Sequence, residues 1–86
     1  MAQSAGKVVT ASVLLRTGKG KLKTASVGKV VAAGTLKLYN GTDSGGTLIH
    51  EVDGGTNVSH ESIDIPFNTG LYAVVSGTAE YNVTWE

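Results

Sequence analysis

His50 and His60 stand on either side of Gly54-Gly55-Thr56-Asn57. A turn there lets the flanking strands pair, and if Val52 lies opposite Val58, then His50 lies opposite His60 on the same face. Two imidazoles with a nearby carboxylate are zinc-ligand types. In an extended strand, however, Glu51 and Glu61 point to the other face from the histidines, and a register shift of one residue separates the rings. That face supplies no third ligand, so no metal and no other cofactor is expected.

The basic loop Arg16-Thr17-Gly18-Lys19-Gly20-Lys21-Leu22-Lys23 looks at first like a phosphate cradle. A P-loop needs four residues between its first glycine and a Gly-Lys pair, followed by Ser or Thr. Here Leu22 follows Gly20-Lys21 and Gly20 follows Gly18-Lys19, so the pattern fails. Nucleic-acid binding would need interleaved aromatics or a basic excess, and the loop has neither. The carboxylates make no glycosidase pair: Glu61 and Asp64 fall on opposite faces of one strand, and a domain this small has no deep cleft to raise a pKa. No motif marks a nucleophile beside either histidine. The chain is read as non-enzymatic, with no catalytic residues.

What remains are candidates for contact. Lys19, Lys21 and Lys23 share one tip. Tyr81 and Trp85 share a face with Val83 at strand spacing, which places them in the core or a subunit contact. Tyr72, Tyr81 and Trp85 could otherwise present a platform to a sugar ring. Three Asn-x-Ser/Thr sequons begin at Asn40, Asn57 and Asn82; in a Ser/Thr-rich chain with no secretory signal they are read as coincidence.

The elements that must position these residues are strands. Val, Leu and Ala dominate the apolar set, Thr and Ser are frequent, and 12 Gly accompany a single Pro; that mixture favours pleated strands joined by glycine turns. Strands are predicted over 8–15, with Val9, Ala11, Val13 and Leu15 on one face, and over 21–27, with Leu22 and Lys23 on opposite faces. A short apolar piece at 30–33 leaves strand and loop open. Over 35–40, Leu36 and Leu38 go inward while Lys37 and Tyr39 face out. A turn cluster at 40–46 leads to strands over 47–53 and 58–65, the latter closed by Pro66. Segments 70–76 and 79–85 are expected to pair around Gly77-Thr78 as a hairpin. About seven or eight short strands at roughly 8–12-residue spacing predict an all-β fold, a small antiparallel β-sandwich of jelly-roll type or a small barrel. Residues 1–6 read as a flexible arm and 7–86 as the single domain.

All seven basic residues (Lys7, Arg16, Lys19, Lys21, Lys23, Lys29, Lys37) precede all seven acidic ones (Asp43, Glu51, Asp53, Glu61, Asp64, Glu80, Glu86), for a net charge of +0. Neither nucleic acid nor membrane is therefore attracted by net charge; the split favours contact of one half with the other, within a subunit or between copies. No apolar run approaches the roughly 20 residues of a membrane span. No cleavage site follows 8–15, so synthesis in a cytoplasm is expected. With 86 residues and no cysteine, the domain lacks a disulfide staple, and homo-oligomerisation is the expected support.

Two stretches resemble a known family. Gly34-Thr35-Leu36-Lys37-Leu38-Tyr39-Asn40-Gly41-Thr42-Asp43-Ser44-Gly45-Gly46-Thr47-Leu48-Ile49 resembles the GTLTLYDGTSASGTLI pattern of small tailed-bacteriophage virion proteins. Phe67-Asn68-Thr69-Gly70-Leu71-Tyr72-Ala73-Val74-Val75-Ser76-Gly77-Thr78 resembles their F-x-x-G-L-Y-x-x-x-S/T-G-T near the C-terminus. The resemblance implies a capsid decoration (cement) or head-fibre component: a β-sandwich, trimeric, bound to the major capsid protein on the outside of the virion shell and stabilising it. Lys19, Lys21 and Lys23 would then set orientation. The alternative is a fibre or tail component that binds a host-surface carbohydrate or receptor through Tyr39, Tyr72 or Trp85.

Overall fold

Segments that are apolar at every second position can bury that face only by stacking on another sheet. In the computed structural model, which describes residues 5–30, 34–55, 59–60, 63–77 and 79–86, nine strands do so. They are β1 (Ala5–Val9), β2 (Val13–Thr17), β3 (Gly20–Lys29), β4 (Thr35–Asn40), β5 (Thr47–Asp53), β6 (Ser59–His60), β7 (Ile65–Phe67), β8 (Gly70–Ser76) and β9 (Glu80–Trp85). The first sheet runs β1-β9-β3-β6, with β7 also on β3; the second runs β2-β8-β4-β5. The chain is an all-β antiparallel sandwich.

Its topology is nested. β6 and β7 lie along β3, opposite Ala25–Ser26 and Gly20–Leu22 respectively, as two pieces of one interrupted edge. Counted together they leave eight strands that pair from the outside in: β1 with β9, β2 with β8, β3 with β6 and β7, β4 with β5. This is one long hairpin rolled into two sheets, the jelly-roll arrangement. Every ladder, including β3–β9 and β4–β8, joins a strand of the basic half to one of the acidic half. Lys37 thus lies opposite Glu51 and Lys29 opposite Glu80. Opposite charges across a ladder stabilise it and like charges weaken it, so the charge split is used within the chain.

Three expected elements are corrected by this topology. The strand predicted over 8–15 is two strands: the chain leaves the first sheet after Val9 and enters the second at Val13, and Ala11 is exposed between them. The segment 58–65 contributes β6, and Pro66 sits within β7 rather than after a strand end. Proline is tolerated there because β7 is an edge strand. Finally, β8 and β9 belong to different sheets and do not form a hairpin. Between them Gly77 adopts φ 84°, a conformation open to glycine. The β4–β5 turn forms as predicted, with Asp43 Oδ1 accepting from Gly45 N at 2.8 Å. Of the expected arm, Ala5 and Gly6 pair with Trp85 and Thr84; residues 1–4 lie outside the described residues, as does most of 30–33.

The core lies between the sheets. The first sheet contributes Val9, Leu22, Ala25, Val27, Phe67, Tyr81, Val83 and Trp85; the second contributes Leu36, Leu38, Val52, Leu71 and Ala73. Leu36 and Leu38 point inward as predicted. In β3 the register shifts between Leu22 and Thr24. Plain alternation from Leu22 would send Thr24 and Ser26 inward; the bulge turns Ala25 and Val27 in instead.

Candidate functional site

The candidate contact residues separate into inside and outside. Tyr81 is 0% and Trp85 6% exposed, packed in the core with Val83. Of the two expected places, core or subunit contact, the core is the one they occupy, between the two sheets. The platform of Tyr72, Tyr81 and Trp85 also does not form, because Tyr72 lies on β8 of the other sheet. Burial, followed by the charge of Asp53, pushes the Tyr81 hydroxyl above the ordinary phenol value. Its Oη is buried with no hydrogen-bond partner among the described residues.

Lys19, Lys21 and Lys23 do share one end of the sandwich. Lys19 lies in the turn after β2, while Lys21 and Lys23 lie on β3. Lys23 Nζ donates to Asp64 Oδ1 at 3.0 Å and stands 3.7 Å from Glu86; Lys21 Nζ is 3.8 Å from Asp64. The hydrogen bond to Asp64 raises Lys23 above the ordinary ammonium value, and the same bond, with the charges of Lys21 and Lys23, lowers Asp64. Two of the three lysines are therefore engaged by second-half carboxylates of their own chain. Lys19 is exposed and makes no ion pair among the described residues.

The histidines meet, by a route other than cross-strand pairing. β5 pairs with β4, and β6 with β3, so His50 and His60 belong to different sheets. They close the same open edge of the sandwich, with His50 Nε2 2.7 Å from His60 Nδ1 and the rings edge-on at 82°. One imidazole donates its N–H and the other accepts. Burial, then the neighbouring His60, hold His50 below the ordinary imidazole value. Glu51 faces outward beside Lys37, and Glu61 lies outside the described residues. No group of three or more metal-ligating side chains forms among the described residues.

Pairing also builds a feature that the sequence did not announce. On the outer face of the second sheet, Leu14 of β2 lies opposite Tyr72 of β8, Tyr72 opposite Tyr39 of β4, and Tyr39 opposite Leu48 of β5. Four apolar or aromatic side chains thus form one row across all four strands, about 14 Å at ordinary strand spacing. Leu14 is 40% and Leu48 46% exposed, and the two tyrosines are half-buried. The outward signs of Tyr39 and Leu14 were legible locally. Their alignment was not, because it rests on three ladders and on the bulges after Leu14 and Leu38.

Comparison with known family models, with curated protein sequences and with solved structures returns no match for this chain.

Proposed function

We propose that this chain is a non-enzymatic structural protein of a bacteriophage virion, a decoration protein that docks on the outside of the shell through the outer face of its second sheet. The observation that carries this reading is the Leu14–Tyr72–Tyr39–Leu48 row. An apolar row that is continuous across the outer face of a sheet has a contact face as its ordinary explanation. The two phage-like stretches support the same face: residues 34–49 supply β4 and most of its hairpin with β5, and residues 67–78 supply β8. These are three adjacent strands of the second sheet. Jelly-roll sandwiches also serve as capsid and lectin domains, an analogy of fold that does not carry function by itself. The mechanism is mass action: a protein that binds only the assembled shell shifts the equilibrium toward it. A homotrimer and contact with the major capsid protein belong to this proposal.

The test is co-sedimentation with expanded shells of the phage that encodes the chain. Wild-type protein should bind and raise the temperature at which shells come apart. Leu14→Asp with Leu48→Asp, which changes only exposed side chains, should leave the circular dichroism spectrum intact and abolish binding. A folded protein that leaves shells unbound and their melting unchanged overturns the reading.

A second reading draws on the same row. Tyr39 and Tyr72 stand side by side on the exterior, as a sugar-binding fibre component would need. Shifts of the two tyrosine rings in a nuclear magnetic resonance titration with host-surface glycans, with no shell binding, would favour it.

A further inference from the structure

At the end of the sandwich where β2 turns into β3, residues of both sheets line an open cleft of about 670 Å³. That lies within the ~300–1,000 Å³ of ordinary ligand pockets. Its walls are built rather than incidental. Gly18, at φ 92°, donates its N–H to Thr69 O at 2.9 Å, and Arg16 Nε donates to Lys19 O at 3.0 Å. Across the cleft, Asn40 Oδ1 accepts from the backbone N–H groups of Asn68 and Thr69 at 3.2 and 3.0 Å. Gly20 is held bare at the floor, because a Cβ there would collide with Glu86 O and come within 2.9 Å of the Phe67 ring. Turn and loop are therefore fixed on both sides of the opening.

The cations of this cleft are unevenly paired. Arg16, Lys19 and Lys21 line it together with Glu86, whose side-chain carboxylate is turned toward Lys23 at 3.7 Å. Lys21 has Asp64 at 3.8 Å, whereas Arg16 and Lys19 make no ion pair among the described residues. With Nε committed to Lys19 O, the terminal nitrogens of Arg16 remain to bond a carboxylate, for which a guanidinium edge is well shaped. Pro66, which is exposed, adds apolar surface beside these cations. A nucleic-acid ligand would want an exposed aromatic face for stacking, and Phe67 is only 2% exposed.

The geometry points to this cleft as a binding site for an acidic peptide segment, with side-chain carboxylates on Arg16 and Lys19 and an apolar side chain against Pro66. None of Leu14, Tyr72, Tyr39 or Leu48 lines it, so the site stands or falls apart from the docking face.

The probe is a fluorescein-labelled Glu-Glu-Leu-Glu-Glu peptide titrated with the full chain at low salt and followed by anisotropy. Saturable binding is expected, weakened at least about tenfold by Arg16→Ala with Lys19→Ala, since charge-assisted hydrogen bonds are the stronger class. Lys19→Ala alone, which leaves the backbone acceptor of Arg16 in place, should weaken it several-fold. Lys7→Ala with Lys29→Ala, removing cations elsewhere on the first sheet, should leave affinity unchanged. Absence of saturable binding, or an equal loss from the Lys7 and Lys29 variant, overturns the site. A labelled oligothymidylate binding as tightly through Arg16 and Lys19 would make it a phosphate site and overturn the peptide assignment.

Discussion

Across the middle of the first sheet the outward row runs Val8, Asn82, Ser26 and Ser59; across the second it runs Leu14, Tyr72, Tyr39 and Leu48. The neighbouring row of the first sheet is equally polar, with Gly6 beside Thr84 and the hydroxyls of Thr84 and Thr24 hydrogen-bonded at 2.5 Å. Val8, 56% exposed, is a single apolar side chain among polar ones, and such isolated cases are normal on protein surfaces. The two sheets therefore bury equivalent inner faces and present unlike outer ones. Hydroxyl and amide groups are satisfied by water alone. A continuous apolar row gains by being covered, and the proposed contact face rests on that asymmetry.

The aromatic residues test this division most severely. Trp85 of the first sheet packs in the core, so Trp85→Ala should cost about 3–5 kcal/mol, the range for removing a packed aromatic. Tyr72 of the second sheet is on the exterior, and Tyr72→Ala should cost about 1 kcal/mol or less in the isolated chain. Urea unfolding of both variants checks it; equal losses would mean that the outer row of the second sheet is structural and not a contact face.

A smaller effect is expected where the turn after β5 crosses over the first sheet. A Cβ on Gly54 would run into Tyr81 Oη and come within 2.9 Å of its ring, so Gly54→Ala should cost about 1–3 kcal/mol by overpacking. Tyr81→Phe removes a buried hydroxyl that has no partner among the described residues and should be neutral or stabilising. Combining the two should recover part of the loss, because the colliding atom is gone. Thermal melts of the two single variants and the double complete the cycle; simple additivity would refute this account of the contact.

The smallest effect concerns the edge where the sheets meet through His50 and His60. His50 is held below the ordinary imidazole value of 6.5, so the unfolded chain takes up that proton more readily than the folded one. Its contribution is complete above pH 6.5 and is lost as the pH falls through the lowered folded value. The urea midpoint should therefore be lower near pH 5 than near pH 7.5. His50→Gln should flatten that difference. Asp64, lowered from 3.8, acts below this window and should not contribute to it. A slope unchanged in His50→Gln would assign the titration elsewhere.

Much of the fold was legible because strand periodicity and turn chemistry are local properties. Leu36 and Leu38 inward, Tyr39 outward, the glycine-rich reversal at 40–46 and the Tyr81, Val83, Trp85 face all followed from a two-residue period. The site was far less legible. The meeting of His50 with His60 arises between edges of two sheets, which pairing across a single turn does not anticipate. The apolar row depends on which strands are neighbours, and the cleft depends on a turn after β2 lying against a loop after β7. Lys21 and Lys23 were visible as a basic tip, but their neutralisation by Asp64 and Glu86 comes from residues more than 40 positions away in the chain.

By itself, then, the chain's sequence determined an all-β domain, the inward residues of most strands and a basic half destined to meet an acidic one. Only the tertiary structure decided which strand lies beside which, and hence that β8 and β9 part into different sheets while β1 closes on β9. The reason is physical. A pleated strand presents the same alternating faces to any antiparallel neighbour, so its pattern encodes burial but not partner. Partner choice is settled by long-range closure, where bulges at Leu15, Lys23, Gly28 and Ile49 and the pairing of opposite charges fit one nested order.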